Sequence, residues 1–209
     1  MEKAYLILVD GQGAQLSKCL HPLYSSERLN KIARCQSESM RMEFACAELA
    51  YLVAQKNAFG EIRKDLYEYR ENNKPYFKEE KYGCLSFTHT RNIGACLIAP
   101  AMCGCDIEEK SRDISKIESK IRFSKKREAA DALTLWCVKE SFVKFTGEGL
   151  SRPFSKIYYS DNTIQDECGK HLTIVRTGEI GHVLWAATFE KQIELAVRIL
   201  TIDCALSFL

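Results

Sequence analysis

Asp106 and Glu108 stand two residues apart in "CGCDIEE", and Glu140 follows about thirty residues later in "LWCVKESFVKF", residues 135–145. Residues two apart on a strand leave the same face, so the first two carboxylates converge. In the second stretch Trp136, Val138, Phe142, Val143 and Phe145 recur at helical intervals, as a core-facing helix requires. Glu140 sits at the edge of that stripe, one turn after Trp136 and one turn before Lys144. A carboxylate placed there is costly unless something pairs with it. Three converging carboxylates repel one another and take up protons unless a cation neutralises them. An all-oxygen set without His or Cys favours Mg²⁺ or Mn²⁺ over zinc. Mg²⁺ in turn binds one or two carboxylates together with substrate phosphates. Taken alone, "DIEE" also reads as a solvated strand end. The two motifs together, with Lys144 beyond Glu140, point to phosphate chemistry.

These acids need a strand and a helix to position them. "AYLILV" (4–9) reads as a strand, 25–36 and 39–56 as helices, and 61–69 as a mixed strand before the turn "ENNKP". "CLSFTH" and "IGACLIA" are strand-like, and after "PAMCG" the order begins again. "CGCDIE" is a strand, 118–129 and 131–146 are helical, and "SKIYYS", "KHLTIVR", "HVLWAATF" and "IELAVRIL" are extended. "YSSER" precedes "FSKKR" by 99 residues, and Tyr5 precedes Cys105 by 100. The expected fold is therefore α+β, a pseudo-dimer of two β-α-α-β-β-β halves with a ligand cleft between them. The boundary falls in the turn at 99–104, giving halves 1–100 and 101–209.

Composition narrows the classes. The chain has 209 residues, 46 % of them hydrophobic, with 30 basic and 28 acidic side chains. That near-balance argues against a generic nucleic-acid binder, and no apolar run approaches the ~20 residues that span a bilayer. The N-terminus lacks a basic region followed by a small-residue cleavage site, so a cytoplasmic location is expected. Of ten cysteines only Cys103 and Cys105 form a close pair. His21, His89, His171 and His182 offer no ligand spacing, so buried reduced thiols are expected rather than zinc or disulfides.

"GCDIEE" followed by "WCVKESFVKFTGEGLSRP" resembles the paired signature of the 4′-phosphopantetheinyl transferases, in particular the pseudo-dimeric Sfp-type (surfactin-synthetase-activating) branch. The matching positions are Gly104, Asp106, Ile107 and Glu108, then Trp136, Lys139, Glu140, Ser141 and Lys144. "SSERLNKIAR", "NKPYF" and "LSFTHT" fall where that family has its first-half motifs. The resemblance implies Mg²⁺-dependent transfer of 4′-phosphopantetheine from coenzyme A to a serine of an acyl or peptidyl carrier protein, with adenosine 3′,5′-bisphosphate leaving. It implies Asp106, Glu108 and Glu140 as metal ligands, Glu140 and Lys144 as catalytic groups, and Lys139 and Lys144 at the donor. Arg28, Lys31 and Arg41 would meet its 3′-phosphate, Lys74 and Pro75 its adenine side, and His89 matches the histidine of a "SHS" motif. Asn73 stands where many relatives have glycine, and it also tolerates positive φ.

Residues 110–127 carry eight Lys/Arg against two Asp/Glu, with Ile114, Ile117, Ile121 and Phe123 interleaved. Such a surface is an ordinary amphipathic helix, or one that steers an acidic carrier to the metal. Two other functions use the same acids: a different Mg²⁺-dependent phosphoryl or nucleotidyl transferase, and a coenzyme A or carrier scaffold without turnover. A chain that contains its own pseudo-dimer is expected to act as a monomer.

Overall fold

The computed structural model describes residues 2–167, 169 and 173–209; Cys168 and His171 lie outside the described residues. From the N-terminus run β1 (Lys3–Asp10), α1 (Leu16–Cys19), α2 (Ser26–Arg34), α3 (Glu38–Phe59), β2 (Tyr67–Tyr69), β3 (Pro75–Phe77), β4 (Cys84–Thr90) and β5 (Ile93–Ala99). There follow β6 (Cys103–Glu109), α4 (Glu118–Ile121), α5 (Ala132–Thr146), β7 (Ile157–Ser160), β8 (Thr163–Asp166), β9 (Thr173–Ile180), β10 (Val183–Phe189), β11 (Glu194–Thr201) and α6 (Ile202–Ser207). The fold is mixed α+β with several sheets. One sheet has the order β11-β1-β5-β4, a second β6-β10-β9-β8-β7, and β2 pairs with β3 in a small third.

The helices begin and end where side chains satisfy their free backbone groups. Ser25, Ser37 and Asp131 cap α2, α3 and α5 by accepting from Arg28 N, Met40 N and Thr134 N. Helix α5 closes on Gly147 in the left-handed region at φ 80°. Helix α3 packs on β1 and β5, and α5 on β6 and β10. In each sheet the first strand pairs antiparallel with a later one, β1 with β5 and β6 with β10. The last strand, β11, returns to the first sheet and runs parallel to β1.

Gly104 on β6 makes the approach of α5 possible. A Cβ there would lie 2.2 Å from Ser141 O and 2.4 Å from Phe145 N, which no side chain can occupy. The period of two then turns Asp106 and Glu108 to the same helix, while Cys103, Cys105 and Ile107 enter an apolar core with Leu6, Leu97 and Ala187. The two main sheets meet where β4 faces β6, and hydroxyl groups bridge the gap. Ser86 Oγ accepts from Cys105 N at 3.1 Å, and Thr88 Oγ1 from Ile107 N at 3.4 Å.

Two of the expected elements differ. The helix expected over 118–129 ends at Ile121, because Glu128 is buried and its carboxylate draws the chain into a loop. Its Oε2 accepts from Phe123 N at 2.8 Å and its Oε1 from Tyr159 N at 2.9 Å. The strand expected over 61–69 is confined to Tyr67–Tyr69. Periodicity gave no sign of the short β3, β8, α1 and α6, whose three to six residues carry too few repeats.

Candidate active site

The acids on β6 face the cationic and aromatic side chains of α5. Asp106 Oδ1 accepts from Lys144 Nζ at 2.8 Å and from Thr88 Oγ1 at 2.8 Å. Glu108 Oε1 accepts from Trp136 Nε1 at 2.6 Å and is ion-paired with Arg112. Arg112 also lies 5.0 Å from the ring centre of Trp136. Glu140 is half-buried beside them. The second oxygens, Asp106 Oδ2, Glu108 Oε2 and Glu140 Oε2, are buried and have no hydrogen-bond partner. Orphaned carboxylate oxygens are expensive in a protein interior and call for a cation.

Electrostatics show the same deficit of positive charge. Burial, then the charge of Asp106, pushes the Glu140 carboxyl up to about 7; Lys144 counteracts this only in part. Burial and Asp106 also raise the Glu108 carboxyl, against the opposing effect of Arg112 and Trp136. Burial opposes charge on Lys144, but Asp106 outweighs it and holds the ammonium protonated above its usual range. Among the described residues, no group of three or more His, Cys, Asp or Glu side chains is gathered ready to hold a metal. Lys144 and Arg112 each hold one oxygen of an acid, on Asp106 and Glu108 respectively. The three orphaned oxygens are nonetheless hard donors of the kind Mg²⁺ accepts.

Lys144 also opens onto a pocket of about 220 Å³ lined from both halves of the chain. Arg28, Lys31, Lys74, Pro75 and His89 line it from the first half, and Val143, Lys144, Gly147 and Gly149 from the second. Lys31 sits between two aromatic faces, 5.0 Å from Phe44 and 5.2 Å from Tyr69. Burial, then Arg28, lowers its pKa. His89 Nδ1 lies 2.8 Å from Glu43 Oε2, and its ring meets Phe44 edge-on at 5.1 Å. The Lys74 ammonium donates to Phe145 O, tying the β2–β3 turn to the end of α5. Asn73 in that turn has φ 60°, the left-handed conformation for which its residue type is suited.

Three of the expected donor contacts are placed differently. Lys139 is away from the pocket and wholly buried, with Glu128 Oε2 at 2.8 Å, Ile121 O at 2.7 Å and Phe154 O at 3.3 Å. Its ammonium is committed to the core, so its expected part in donor binding is corrected to a structural one. Arg41 does not line this pocket; its Nε donates to Cys35 O at 2.8 Å and its side chain borders a hollow with Leu16, Leu20 and Leu29. Arg28 lines the pocket but is 3 % exposed, donating to Glu48 Oε2 at 2.9 Å and to Tyr69 OH at 3.0 Å. Its guanidinium therefore braces the wall more than it offers itself to a ligand. Sequence reasoning missed Thr88, Arg112, Glu43 and Phe44. Thr88, Glu43 and Phe44 meet partners far away in the chain, whereas Arg112 lies only four residues past Glu108 and its spacing could have been read.

The described cysteines are free, mostly buried thiols; Cys84 is half-buried and Cys204 exposed. Burial raises the Cys103 and Cys105 thiols, the latter to about 11, so both are neutral at ordinary pH. No helix of the described residues is long and apolar enough to cross a membrane.

Residues 102–188 match the family model described as ACPS, the 4′-phosphopantetheinyl transferase superfamily. The matched segment contains Asp106, Glu108, Glu140 and Lys144. Over this segment, which is less than half of the chain, the sequence is similar to the 4′-phosphopantetheinyl transferase superfamily. No curated protein matches the chain.

Proposed function

We propose that the protein is an Sfp-type 4′-phosphopantetheinyl transferase, a pseudo-dimer within one chain, that converts an apo-carrier protein to its holo form. The observation that carries this is the set of orphaned oxygens on Asp106, Glu108 and Glu140 beside a pocket lined by Lys31, Lys74, His89 and Lys144. The halves 1–100 and 101–209 would share the work, the first holding the nucleotide and the second the acids and the carrier. A cytoplasmic location and a monomeric state belong to the same proposal.

Asp106, Glu108 and Glu140 would hold Mg²⁺ (Mn²⁺ as a substitute). When bound, that ion neutralises charge on the pyrophosphate oxygens of coenzyme A. Lys144 adds a fixed positive charge at the same phosphates, while Lys31 and His89 bind the nucleotide end. The carrier serine oxygen attacks the phosphorus on the pantetheine side, and the bond to the bridging oxygen breaks. Adenosine 3′,5′-bisphosphate takes the bonding electron pair. Glu140 accepts the serine proton, directly or through a water. The basic segment 110–127 would steer an acidic carrier toward these groups.

The test is the intact mass of purified apo-carrier proteins after incubation with coenzyme A and Mg²⁺. A gain of one phosphopantetheine is expected, lost in EDTA. No mass gain on any carrier, with turnover of nucleoside triphosphates instead, would assign the acids to another phosphoryl transferase.

A further inference from the structure

We infer that Arg112 is a resident counter-ion of Glu108 that a divalent cation must displace, with Trp136 keeping Glu108 in place during the exchange. The inference rests on the metal-binding role proposed for the acids and concerns a side chain outside that set. The three acids meet their partners in different ways. Asp106 is held from inside, by Thr88 and by Lys144, which is 27 % exposed and lines the pocket. Glu140 Oε2 has no partner. Glu108 is gripped on one oxygen by two groups of opposite character. Trp136 Nε1 is a neutral donor rooted in α5. The Arg112 guanidinium is a full charge reaching in from the segment after β6, and its side chain is 38 % exposed.

A dication bound at the free oxygens of Glu108 and Asp106 would stand within a few ångströms of that guanidinium. Like charges at such a separation repel strongly where burial limits screening. One of them must leave, and Arg112 is the group free to do so. A partly exposed ion pair between residues four apart has little net worth, and water receives the released guanidinium. The indole N–H carries no net charge to oppose the metal, so Trp136 can hold Glu108 Oε1 throughout. Without metal, Arg112 substitutes for part of the missing charge.

The test measures Mn²⁺ affinity directly, from the free-ion electron paramagnetic resonance signal at fixed ionic strength. Four proteins are compared: the wild type, Arg112→Gln, Arg112→Lys and Lys110→Gln. Arg112→Gln removes the competitor and is expected to bind Mn²⁺ roughly five-fold tighter, the scale of one partly exposed ion pair. Arg112→Lys keeps the charge but loses the planar fork, so its affinity should rise by about two-fold at most. Lys110 pairs with Glu179 and with none of the three acids, so Lys110→Gln controls for net charge and should stay within about two-fold of wild type. Equal or weaker binding by Arg112→Gln, with normal binding by the wild type, overturns the exchange and leaves the transferase proposal standing. An equal gain in Lys110→Gln also overturns it, because the effect would then be general charge. No Mn²⁺ binding by any of the four overturns the metal role of the acids and the exchange with it.

Discussion

Replacing Glu140 with Gln should stabilise the metal-free protein at alkaline pH and leave it unchanged in acid. Burial and the Asp106 charge hold the Glu140 carboxyl at about 7, against an ordinary value of 4.5. Between those values the folded state keeps a proton that the unfolded chain releases. Stability therefore falls as pH rises from 4.5 through 7, and the loss is complete above the folded value. Each unit is worth about 1.4 kcal/mol, and solvent screening at the open edge of Glu140 reduces the sum to about 2–3 kcal/mol. For a chain of this size that is roughly 4–12 °C in melting temperature. Glu140→Gln carries no charge to lose, so its curve should be flat over that window apart from changes the two proteins share. The assay is thermal and urea unfolding in EDTA from pH 4 to 8.5, repeated with excess Mg²⁺. Metal should rescue the wild type above pH 7 and do less for the variant. Parallel curves for the two proteins in EDTA would refute the claim that Glu140 sits in an under-neutralised cluster.

Other outcomes follow from the same geometry. Asp106→Asn should fold normally, abolish transfer and remove the stabilisation by Mg²⁺; marked unfolding would mean that the carboxylate is structural. Glu140→Asp separates two roles: saturating Mg²⁺ restores most of the rate if Glu140 is only a ligand, and leaves a deficit of about 10²-fold if it also accepts the serine proton. Lys139→Met strands the buried Glu128 and should cost about 3–5 kcal/mol in urea unfolding, with a normal coenzyme A KM in whatever fraction folds. Lys31→Ala should raise the KM for coenzyme A by about ten-fold with kcat nearly unchanged, the pattern of a group that binds the donor equally in ground and transition states. A kcat loss without a KM change would move Lys31 from the binding wall to the chemistry.

Much of the site was legible from residue order alone because its members are close in sequence or share a local period. The two-residue spacing put Asp106 and Glu108 on one face of β6, and the helical stripe put Trp136, Glu140 and Lys144 along one side of α5. The helix expected over 131–146 nearly coincides with α5. Those features depend on local geometry, which the chain specifies within a few residues. Tertiary structure decided the rest, because charge and burial depend on what distant segments bring. Lys139 has the same type and neighbourhood in sequence as Lys144, yet one faces Glu128 in the core and the other Asp106 at the pocket. The same distance in space explains why Glu128 ends the helix expected through 129, and why Arg28 is spent on Glu48. It is also why Thr88, from β4, holds Asp106, a contact that sequence spacing did not show.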